Sequence, residues 1–543
     1  MKPLSGEDAF FIYAETEDQH QHTVACLILD PATAPSKFST KDLVKKMEAD
    51  IGVIPEFRQK LVSMPAAFAP PVLVDDHDFK FKNHVHQTKL KAPGNMRQLC
   101  ELIEGIASKQ LDRKRPLWES WYVDGLEGGR VACITKSHHC MLDGVQGAEF
   151  MSEQFDLEPN PPKKKKKKAA GPWEPEKISL FNVTSKAWSH HRKTQPGLGY
   201  MLTRTAKSLY NRRRVFKEHA KAEKWVPPML TSAPKLKFNG AITPNRSVAM
   251  GKLSMRDIKH IKNTFGVSIN DVVLTSCTLA MRKYLIATND LPDEPLICSV
   301  PVSLKLKGAE AKQDQGNQVG NMMVKLPVQI GDPIKCLRAT NESTIEAKRI
   351  FDESFENLMQ GYIGSVTPGL ASFALQTIFS KRMTSMMPAM GNLVVSNFPG
   401  PPIPLYMQGA QLQASYPIGP VISGQGPNIT FMSFMDSMDF SVQTCTEMLP
   451  EVWDIADAIV ATVAELKTKA DKQAKPKRKR RAKQATAKST APKKAAKNKA
   501  NTRTKKTTPK KKAAAVNKKK ASVKTKTGKT RRKKTAAKSR RAV

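Results

Sequence analysis

The sequence of 543 residues lacks the long apolar runs and the leader that a membrane-spanning or secreted protein would carry. It has no stretch of about 18 uninterrupted apolar residues, so we expect no part of it to span a membrane. Its first residues, MKPLSGEDAFFIYAETE, are acidic and lack the basic-then-apolar pattern of a signal peptide. We therefore expect a cytoplasmic protein that is not secreted and that meets lipid only from the surface.

Paired cysteines and the signatures of common hydrolases are also missing. No two cysteines form a C-x-x-C pair, and this spacing is typical of reduced, mostly buried thiols in a cytoplasmic protein. The absence of a G-x-S-x-G motif argues against a serine hydrolase. The sequence has no metal-ligand cluster, so it predicts no metal site. The eight cysteines are Cys26, Cys100, Cys133, Cys140, Cys277, Cys298, Cys336 and Cys445.

Acidic residues are nearly absent from the end of the chain. From Lys467 onward there are 34 Lys and Arg but a single acidic residue, Asp471, so this tail carries +33 of the formal net charge of +40. The remainder carries only +7, and the run from Lys163 to Lys168 supplies six of those charges. Any nucleic-acid function would therefore depend on the tail alone. The tail has no hydrophobic residues to bury and is predicted to be disordered.

The length exceeds the usual size of one hydrophobic core, and 40% apolar residues are enough to build two. The sequence predicts an N-terminal subdomain over 1–157, a Pro- and Lys-rich linker with a basic helical connection over 158–237, a C-terminal subdomain over 238–466 and the tail over 467–543. Strands and helices alternate in both subdomains, which indicates an α/β or α+β architecture.

The individual elements follow from apolar runs and helical periodicity. Predicted strands cover Thr23 to Leu29, Arg130 to Ser137, Ser247 to Leu253, Pro295 to Val302, Val319 to Pro327, Leu393 to Ser396 and Asn428 to Phe434. Predicted helices cover Thr40 to Ile51, 98–110, Gly144 to Phe155 and Ser268 to about Tyr284.

The segment from Lys136 to Gly144, KSHHCMLDG, is the most informative for chemistry. It joins the end of a buried strand to the start of a helix. Adjacent residues of an extended segment point in opposite directions, so one histidine can face a cleft while the other faces the core. A histidine, with a pKa of about 6.5, is suited to act as a general base near neutral pH.

A structural interpretation of the same residues stays open. Asp143 could cap the following helix, with Gln146 completing a capping box. His138 could be an ordinary hydrogen-bonded core residue. The pair His190 and His191 repeats the motif without Asp-Gly in a basic stretch, and we interpret it as surface.

The pattern H-H-x-x-x-D-G resembles the signature of coenzyme-A-dependent acyltransferases and peptide condensation domains. The surrounding residues are more specifically similar to the bacterial wax ester synthase/acyl-CoA:diacylglycerol acyltransferase family, and the matches span roughly residues 3 to 460. They are PLSGED at 3–8, LDR at 111–113, PLWE at 116–119, NDVV at 270–273, PVS with the preceding Val at 300–303, GN at 316–317 and 320–321, and SNFPGP at 396–401.

This resemblance implies a fold of two chloramphenicol-acetyltransferase-like subdomains with mixed sheets and a central cleft. It implies transfer of a fatty acyl group from acyl-CoA, as substrate and without a cofactor, to diacylglycerol or a long-chain alcohol. His139 would be the general base, beside His138. Asp143 would hold the loop, and Gly144 would leave room for the acyl chain or the pantetheine arm. Lys305 follows the P-V-S segment where the family usually carries Arg, and lysine lacks the bidentate fork.

The second half contributes candidates for substrate binding or active-site support. Asn270 and Asp271 open a helix, and S-x-x-D from Ser268 is itself a capping box, so capping and an active-site role are both open for Asp271. Ser396 and Asn397 precede Pro399, Gly400 and Pro401, which indicates a tight loop that lines the cleft or shapes the backbone.

Three partner hypotheses remain for the basic parts of the chain. The tail should bind dense polyanions, either nucleic acid through counterion release or anionic lipid headgroups. The basic segment 177–230, with Trp188, Tyr200 and Leu202, is a candidate for contact with a membrane or lipid-droplet surface.

Two alternative functions remain: a carrier-protein-dependent condensation-type acyltransferase, and a nucleic-acid binder with a degenerate folded scaffold. The enzyme hypothesis predicts a peripheral protein on the inner face of the membrane or on lipid droplets.

Overall fold

The computed structural model describes residues 2–51, 55–63, 69–141, 154–161, 179–194, 233–303, 319–354, 368–387, 389 and 391–487, with isolated positions between 199 and 214. Met1–Arg481 form one compact unit, which contains both large sheets. Of the second unit, Ala482–Val543, the structure describes only the helical residues 482–487.

Fifteen strands and ten α-helices are present in the described part of the chain. The strands are β1 Lys2–Pro3, β2 His22–Asp30, β3 Gln59–Val62, β4 Val72–Asp75, β5 Val85–Lys89, β6 Trp118–Asp124, β7 Val131–His138, β8 Arg246–Ser254, β9 Leu296–Ser303, β10 Val319–Leu326, β11 Leu393–Pro399, β12 Tyr406–Met407, β13 Ala410–Ile418, β14 Asn428–Phe434 and β15 Ser437–Cys445. The helices are α1 Gly6–Ala14, α2 Thr40–Asp50, α3 Met96–Ala107, α4 Leu180–Thr194, α5 Met255–Phe265, α6 Ile269–Ala287, α7 Pro333–Ser354, α8 Pro368–Ile378, α9 Lys381–Met386 and α10 Val452–Ala487.

The first large sheet has the strand order β12-β13-β2-β7-β6-β5. All its pairings are antiparallel except β5 with β6, which is parallel. Helix α3 buries Leu99, Ile103 and Ile106 against one face, where Val24, Ile28 and Ile134 lie. Helix α2 buries Leu43 and Met47 on the opposite face. Two helices with apolar stripes therefore enclose a sheet whose central strands are apolar on both sides.

The second large sheet has the order β10-β9-β11-β14-β15-β8, with β11 parallel to both of its neighbours. Residues from α5, α6, α7 and α10 join its inner strands in one continuous apolar core. A third, small sheet, β1-β4-β3, is antiparallel and packs Leu61 and Leu73 beside α1.

A strand from the second half of the sequence belongs to the first sheet. β13 pairs antiparallel with β2, from Gln411 opposite Asp30 to Ile418 opposite Val24. The fully buried Asp439 on β15 of the second sheet accepts hydrogen bonds from the Ser415 backbone N–H on β13 (2.8 Å) and from the Ser437 hydroxyl (2.9 Å). The first sheet thus contains a strand from the second half of the sequence, and Asp439 binds that strand to the second sheet.

The mixed α/β class predicted from the sequence is confirmed, and every predicted strand is present. β11 runs on to Pro399, so Ser396 and Asn397 lie within a strand rather than in the predicted tight loop. All eight cysteines are free and buried, as predicted. The predicted helix from Gly144 and most of the linker lie outside the described residues.

The predicted start of the tail at 467 lies within helix α10. Helix α10 continues to Ala487, because its Lys- and Ala-rich sequence favours helix and because Ala470 still packs in the core of the second sheet. The rest of the predicted tail, from 488 onward, lies outside the described residues.

Among the described residues, no single helix combines the length and the apolar character needed to cross a bilayer. Helices α5 and α6 reach that level only when taken together, and they are bent by 102°.

Asp271 forms the capping box that the sequence predicts at the start of α6. The Ser268 side chain accepts the Asp271 N–H at 3.1 Å, and Asp271 Oδ2 accepts the Ser268 N–H at 2.8 Å. The carboxylate also accepts hydrogen bonds from Asn341 Nδ2 (2.8 Å) and the Thr344 hydroxyl, both on α7. This buried side chain therefore ties two helices together as well as capping one.

We expect Asp271→Ala to lower the free energy of unfolding by about 2–3 kcal/mol, because three donors lose their acceptor inside the protein. Asp257, whose N–H is accepted by Ser254 at the start of α5, is the matched control. Its side chain is only partly buried, so Asp257→Ala should cost less than about 1 kcal/mol. Equal losses for the two variants in urea unfolding would contradict this assignment.

Candidate active site

The histidine motif lies where β7 leaves the first sheet. β7 ends at His138, which is in register with His22 of β2. The His138 N–H donates to the Leu117 carbonyl oxygen and the His139 N–H to the Gln21 carbonyl oxygen, both at 2.9 Å. Both histidines therefore sit on backbone that is fixed from two sides.

The His138 side chain is buried and its tautomer follows from its contacts. The Cys140 N–H donates to His138 Nδ1 at 3.2 Å, and Cys140 Sγ lies 3.0 Å from the same nitrogen. Because Nδ1 accepts, the neutral ring carries its proton on Nε2. Nε2 lies 3.6 Å from Glu15 Oε1, so the proton faces a carboxylate.

Glu15, directly after α1, is a buried carboxylate with several partners. Arg113 donates to Glu15 Oε2 through Nε (2.9 Å) and Nη2, and the Gln21 N–H donates to Oε1 at 3.3 Å. Burial opposes ionisation of Glu15, but the contacts of the carboxylate with His138 and Arg113 outweigh it and hold its pKa well below the usual range. Glu15 is therefore an anion that contacts His138 and the residue whose carbonyl holds His139.

His139 is held differently from His138. Its ring stacks on Phe11 of α1, with the ring centres 4.0 Å apart and the planes 12° from parallel. Its Nδ1 is buried and has no hydrogen-bond partner in another residue of the described chain. Burial lowers the pKa of His139 to about 4; the nearby His138 acts in the same direction, and a hydrogen bond with its own backbone opposes them. The ring is consequently neutral at physiological pH and able to accept a proton.

The segment between α1 and β2 is braced by residues of the second half. Gln19, which is buried, donates to the Ala14 carbonyl oxygen and accepts the Ser423 N–H, both at 2.8 Å. Arg246 donates to the Asp18 carbonyl oxygen at 2.7 Å, and Lys381 forms an ion pair with the Asp18 side chain at 3.0 Å. The backbone that fixes His139 is thus held by both halves of the sequence.

Sequence reasoning did not single out Glu15, Gln19 or Gln21. Arg113 entered only as part of the family resemblance. The available signal was an acidic residue, Glu15, directly after an apolar helix. Its partner His138 is remote in the sequence, so the contact could not be predicted.

The other candidate residues are placed as follows. Asn270 is a half-buried residue in the first turn of α6, next to the capping Asp271. Ser396 and Asn397 lie on β11, opposite Thr430 and Phe431 of β14. Within the described chain, no hydrogen bond joins any of these four side chains to the histidine motif.

Three further candidates and the second histidine pair remain untested. Asp143, Gly144 and Lys305 lie outside the described residues. His190 and His191 lie on α4, as the helical prediction for that stretch requires, but their side chains are outside the description.

Comparison with protein families identifies two matching regions. Residues 4–273 match the wax ester synthase/diacylglycerol acyltransferase catalytic domain, and residues 315–467 match the C-terminal domain of the same family. A relative from Mycobacterium tuberculosis that bears the name "Putative diacyglycerol O-acyltransferase" is 33% identical over 477 residues, which cover 87% of this chain and 91% of the relative.

Solved structures share the fold. The wax ester synthase/diacylglycerol acyltransferase from Marinobacter aquaeolei superposes with a TM-score of 0.61 at 24% identity, covering 87% of this chain and 100% of that one. The first condensation domain of the calcium-dependent antibiotic synthetase gives a TM-score of 0.51 at 13% identity, covering 86% and 96%. The predicted two-subdomain fold is confirmed by these likenesses, and the chain is an acyltransferase that belongs to the wax ester synthase/diacylglycerol acyltransferase family.

Proposed function

We propose that this acyltransferase moves a fatty acyl group from acyl-CoA to the free hydroxyl of diacylglycerol, and that long-chain alcohols are a second class of acceptor that yields wax esters. The observation that carries the proposal is a half-buried imidazole, His139, that stacks on Phe11 and that its surroundings keep neutral, on backbone that neighbouring segments hold. The names of the family and of its mycobacterial relatives support the choice of diacylglycerol.

The reaction needs one base and no covalent acyl-enzyme. His139 accepts the hydroxyl proton while the acceptor oxygen attacks the thioester carbonyl carbon. The C–S bond then breaks, and the imidazolium returns its proton to the departing coenzyme A thiolate. The thioester is already activated, so no cofactor is required and acyl-CoA enters only as a substrate.

The low pKa of His139 makes the ring a weaker base than an ordinary imidazole, and it also fixes the charge state of the ring. A ring whose charged form is disfavoured by burial is always available as a base at neutral pH. The same burial makes the imidazolium a strong acid, which favours rapid return of the proton to the thiolate. A water-poor site also strengthens any dipole that stabilises the oxyanion.

We assign Glu15 as a positioning residue for the motif. Its carboxylate contacts His138 Nε2 and the Gln21 N–H, and the Gln21 carbonyl oxygen accepts the His139 N–H. Glu15 therefore contacts the preceding residue, His138, directly, and it fixes the His139 N–H through Gln21. Arg113 keeps that anion charged without contacting either histidine.

The remaining candidates complete the proposed site. Asp143 would shape the loop after the histidines and Gly144 would leave space for the substrate. Asn270, Ser396 and Asn397 would support the substrates from the second half, and Asp271 would hold the N-terminus of α6 in place. The basic tail would add electrostatic attraction to anionic lipid, or to nucleic acid, on the cytoplasmic side.

Replacing His139 by alanine should abolish ester synthesis, with a loss of at least about 10³-fold in kcat for both diacylglycerol and hexadecanol, because general-base catalysis contributes about 10²–10⁴-fold. The assay uses labelled palmitoyl-CoA and separates triacylglycerol from wax ester. Phe11→Leu, which keeps an apolar neighbour against the ring, is the packing control and should retain most of the activity. An active His139→Ala enzyme would refute the assigned role.

The pH dependence of kcat/KM should show an acid limb near pH 4. The base is productive only when deprotonated, so activity stays level down to about pH 5.5 and falls as the pH drops through the pKa. An imidazole with the ordinary pKa of about 6.5 would instead lose roughly eightfold between pH 7 and 5.5. Enzyme returned from each pH to neutrality controls for unfolding, and an acid limb near 6.5 in stable enzyme would contradict the burial of the base.

Glu15→Gln should lower kcat by about tenfold or more while leaving KM for acyl-CoA nearly unchanged, because small displacements of a catalytic group cost large factors in rate. Glu17→Gln is the matched control, since Glu17 lies in the same segment with an exposed side chain. A merely structural role would lower the melting temperature and leave kcat of the folded fraction intact. That result would overturn the positioning assignment.

A further inference from the structure

Helices α8 and α9 expose an unusual amount of apolar surface. Four of the fourteen large apolar side chains that are exposed among the described residues lie between 368 and 386. Leu370 is 59% exposed, Phe373 69% and Met386 72%, and Ile378 is the fourth. Leu370 and Phe373 are three residues apart and therefore lie on one face of α8. Exposed apolar surface is concentrated in this short stretch, so an unspecific scatter of surface residues does not explain it.

The opposite face of α8 is buried beside the candidate active site. Ala371 and Leu375 belong to the apolar cluster that contains Ile12 and Tyr13 of α1 and Cys140 and Met141 of the histidine motif. Helix α8 also packs against α1, whose Phe11 stacks on His139. One helix thus separates the motif's own packing cluster from solvent.

The charges around this exposed face are cationic. Residues 368–387 contain Lys381 and Arg382 and no acidic residue. Lys235, also exposed, donates to the Ser385 carbonyl oxygen at 3.3 Å and so lies beside α9. Lys381 has one acidic neighbour, Asp18, at its inner side. An apolar face bordered by cations complements a lipid leaflet with phosphate headgroups, whereas two copies of the chain would bring like charges together.

We propose that the exposed apolar surface of α8, centred on Leu370 and Phe373 and followed along the chain by the exposed Ile378 and Met386, docks on the surface of a phospholipid leaflet. This inference rests on the proposed function, because a leaflet is where diacylglycerol is dissolved. It differs from the sequence-based choice of the segment 177–230 as the interfacial element. A helix of 11 residues lies in the interface rather than spanning it. Docking there sets the histidine motif one helix away from the phase that holds the acceptor.

The test is flotation of the full-length protein with phosphatidylcholine vesicles that contain diacylglycerol, in 0.5 M NaCl. The Debye length is then roughly 4 Å, so electrostatic attraction by the basic tail is suppressed and apolar docking remains. We expect the wild type to float and the double variant Leu370→Asp, Phe373→Asp to lose at least about tenfold in bound fraction. Circular dichroism and the melting temperature should match the wild type, because both side chains are exposed.

Ile345→Asp is the matched control, since Ile345 is 62% exposed on α7, outside this face. It should float like the wild type, and Phe181→Asp on α4 tests the alternative interfacial segment in the same way. The proposal would be overturned if the double variant floated as well as the wild type. It would also be overturned if the wild type itself did not float. A wild-type dimer in light scattering that the double variant dissociates while flotation is unchanged would contradict it as well, because the face would then join two copies.

Flotation needs no turnover, so it separates this proposal from the proposed reaction. His139→Ala should float like the wild type although it makes no ester. If ester synthesis fails for every acceptor while docking through Leu370 and Phe373 holds, only the proposed reaction is lost. If the double variant retains its rate on a detergent-dispersed short-chain acceptor and loses it on vesicle-bound diacylglycerol, both proposals are supported together.

Discussion

The antiparallel pairing of β13 with β2 is the constraint on which the arrangement of the site depends. It places residues 411–418 of the second half against the strand that precedes and pairs with β7, and the buried Asp439 fastens the same strand to the second sheet. The first half cannot complete its sheet alone, because β12 and β13 come from the second half. The segment that follows α1 is consequently held between Ser423 and Arg246 on one side and β7 on the other. Gln21 lies in this braced segment, and its carbonyl oxygen fixes the backbone of His139 by accepting the His139 N–H.

Desolvation then sets the charge state of the interior around the motif. Burial lowers the pKa of His20, His22 and His139, so these rings are neutral near physiological pH. Glu15 remains an anion in the same region, because Arg113 and His138 compensate for its burial. The result is a fixed negative charge beside His138 and a neutral imidazole at the next position in the sequence. The two adjacent histidines therefore differ because of the side chains that surround them.

Local patterns were the part of the structure that the sequence could predict. The apolar β-branched runs of β2, β7 and β14 and the capping box at Ser268 and Asp271 depend on residues that are close in sequence. β13 was not predicted, because Gln and Ser interrupt the apolar residues of AQLQASYPI and Pro417 lies within it, and its pairing with β2 is a long-range event. The contact of Glu15 with His138 is equally remote in sequence, so the chemistry of the first histidine could be proposed only as one of two alternatives. The family resemblance supplied His139 as the base, which the spacing of two histidines could not.

In the proposed reaction, a partly desolvated base and a lipid acceptor fit each other for a physical reason. A hydroxyl that arrives from water must lose its hydration before a buried imidazole can take its proton, and that loss raises the barrier. A diacylglycerol hydroxyl that enters from a leaflet has already left most of that water behind. Helix α8 presents Leu375 to the histidine cluster and Phe373 to the outside, so the transfer distance between the two apolar environments is about one helix diameter, on the order of 10 Å. In the proposed reaction, the desolvation that keeps His139 neutral and the apolar surface of α8 would therefore serve the same step.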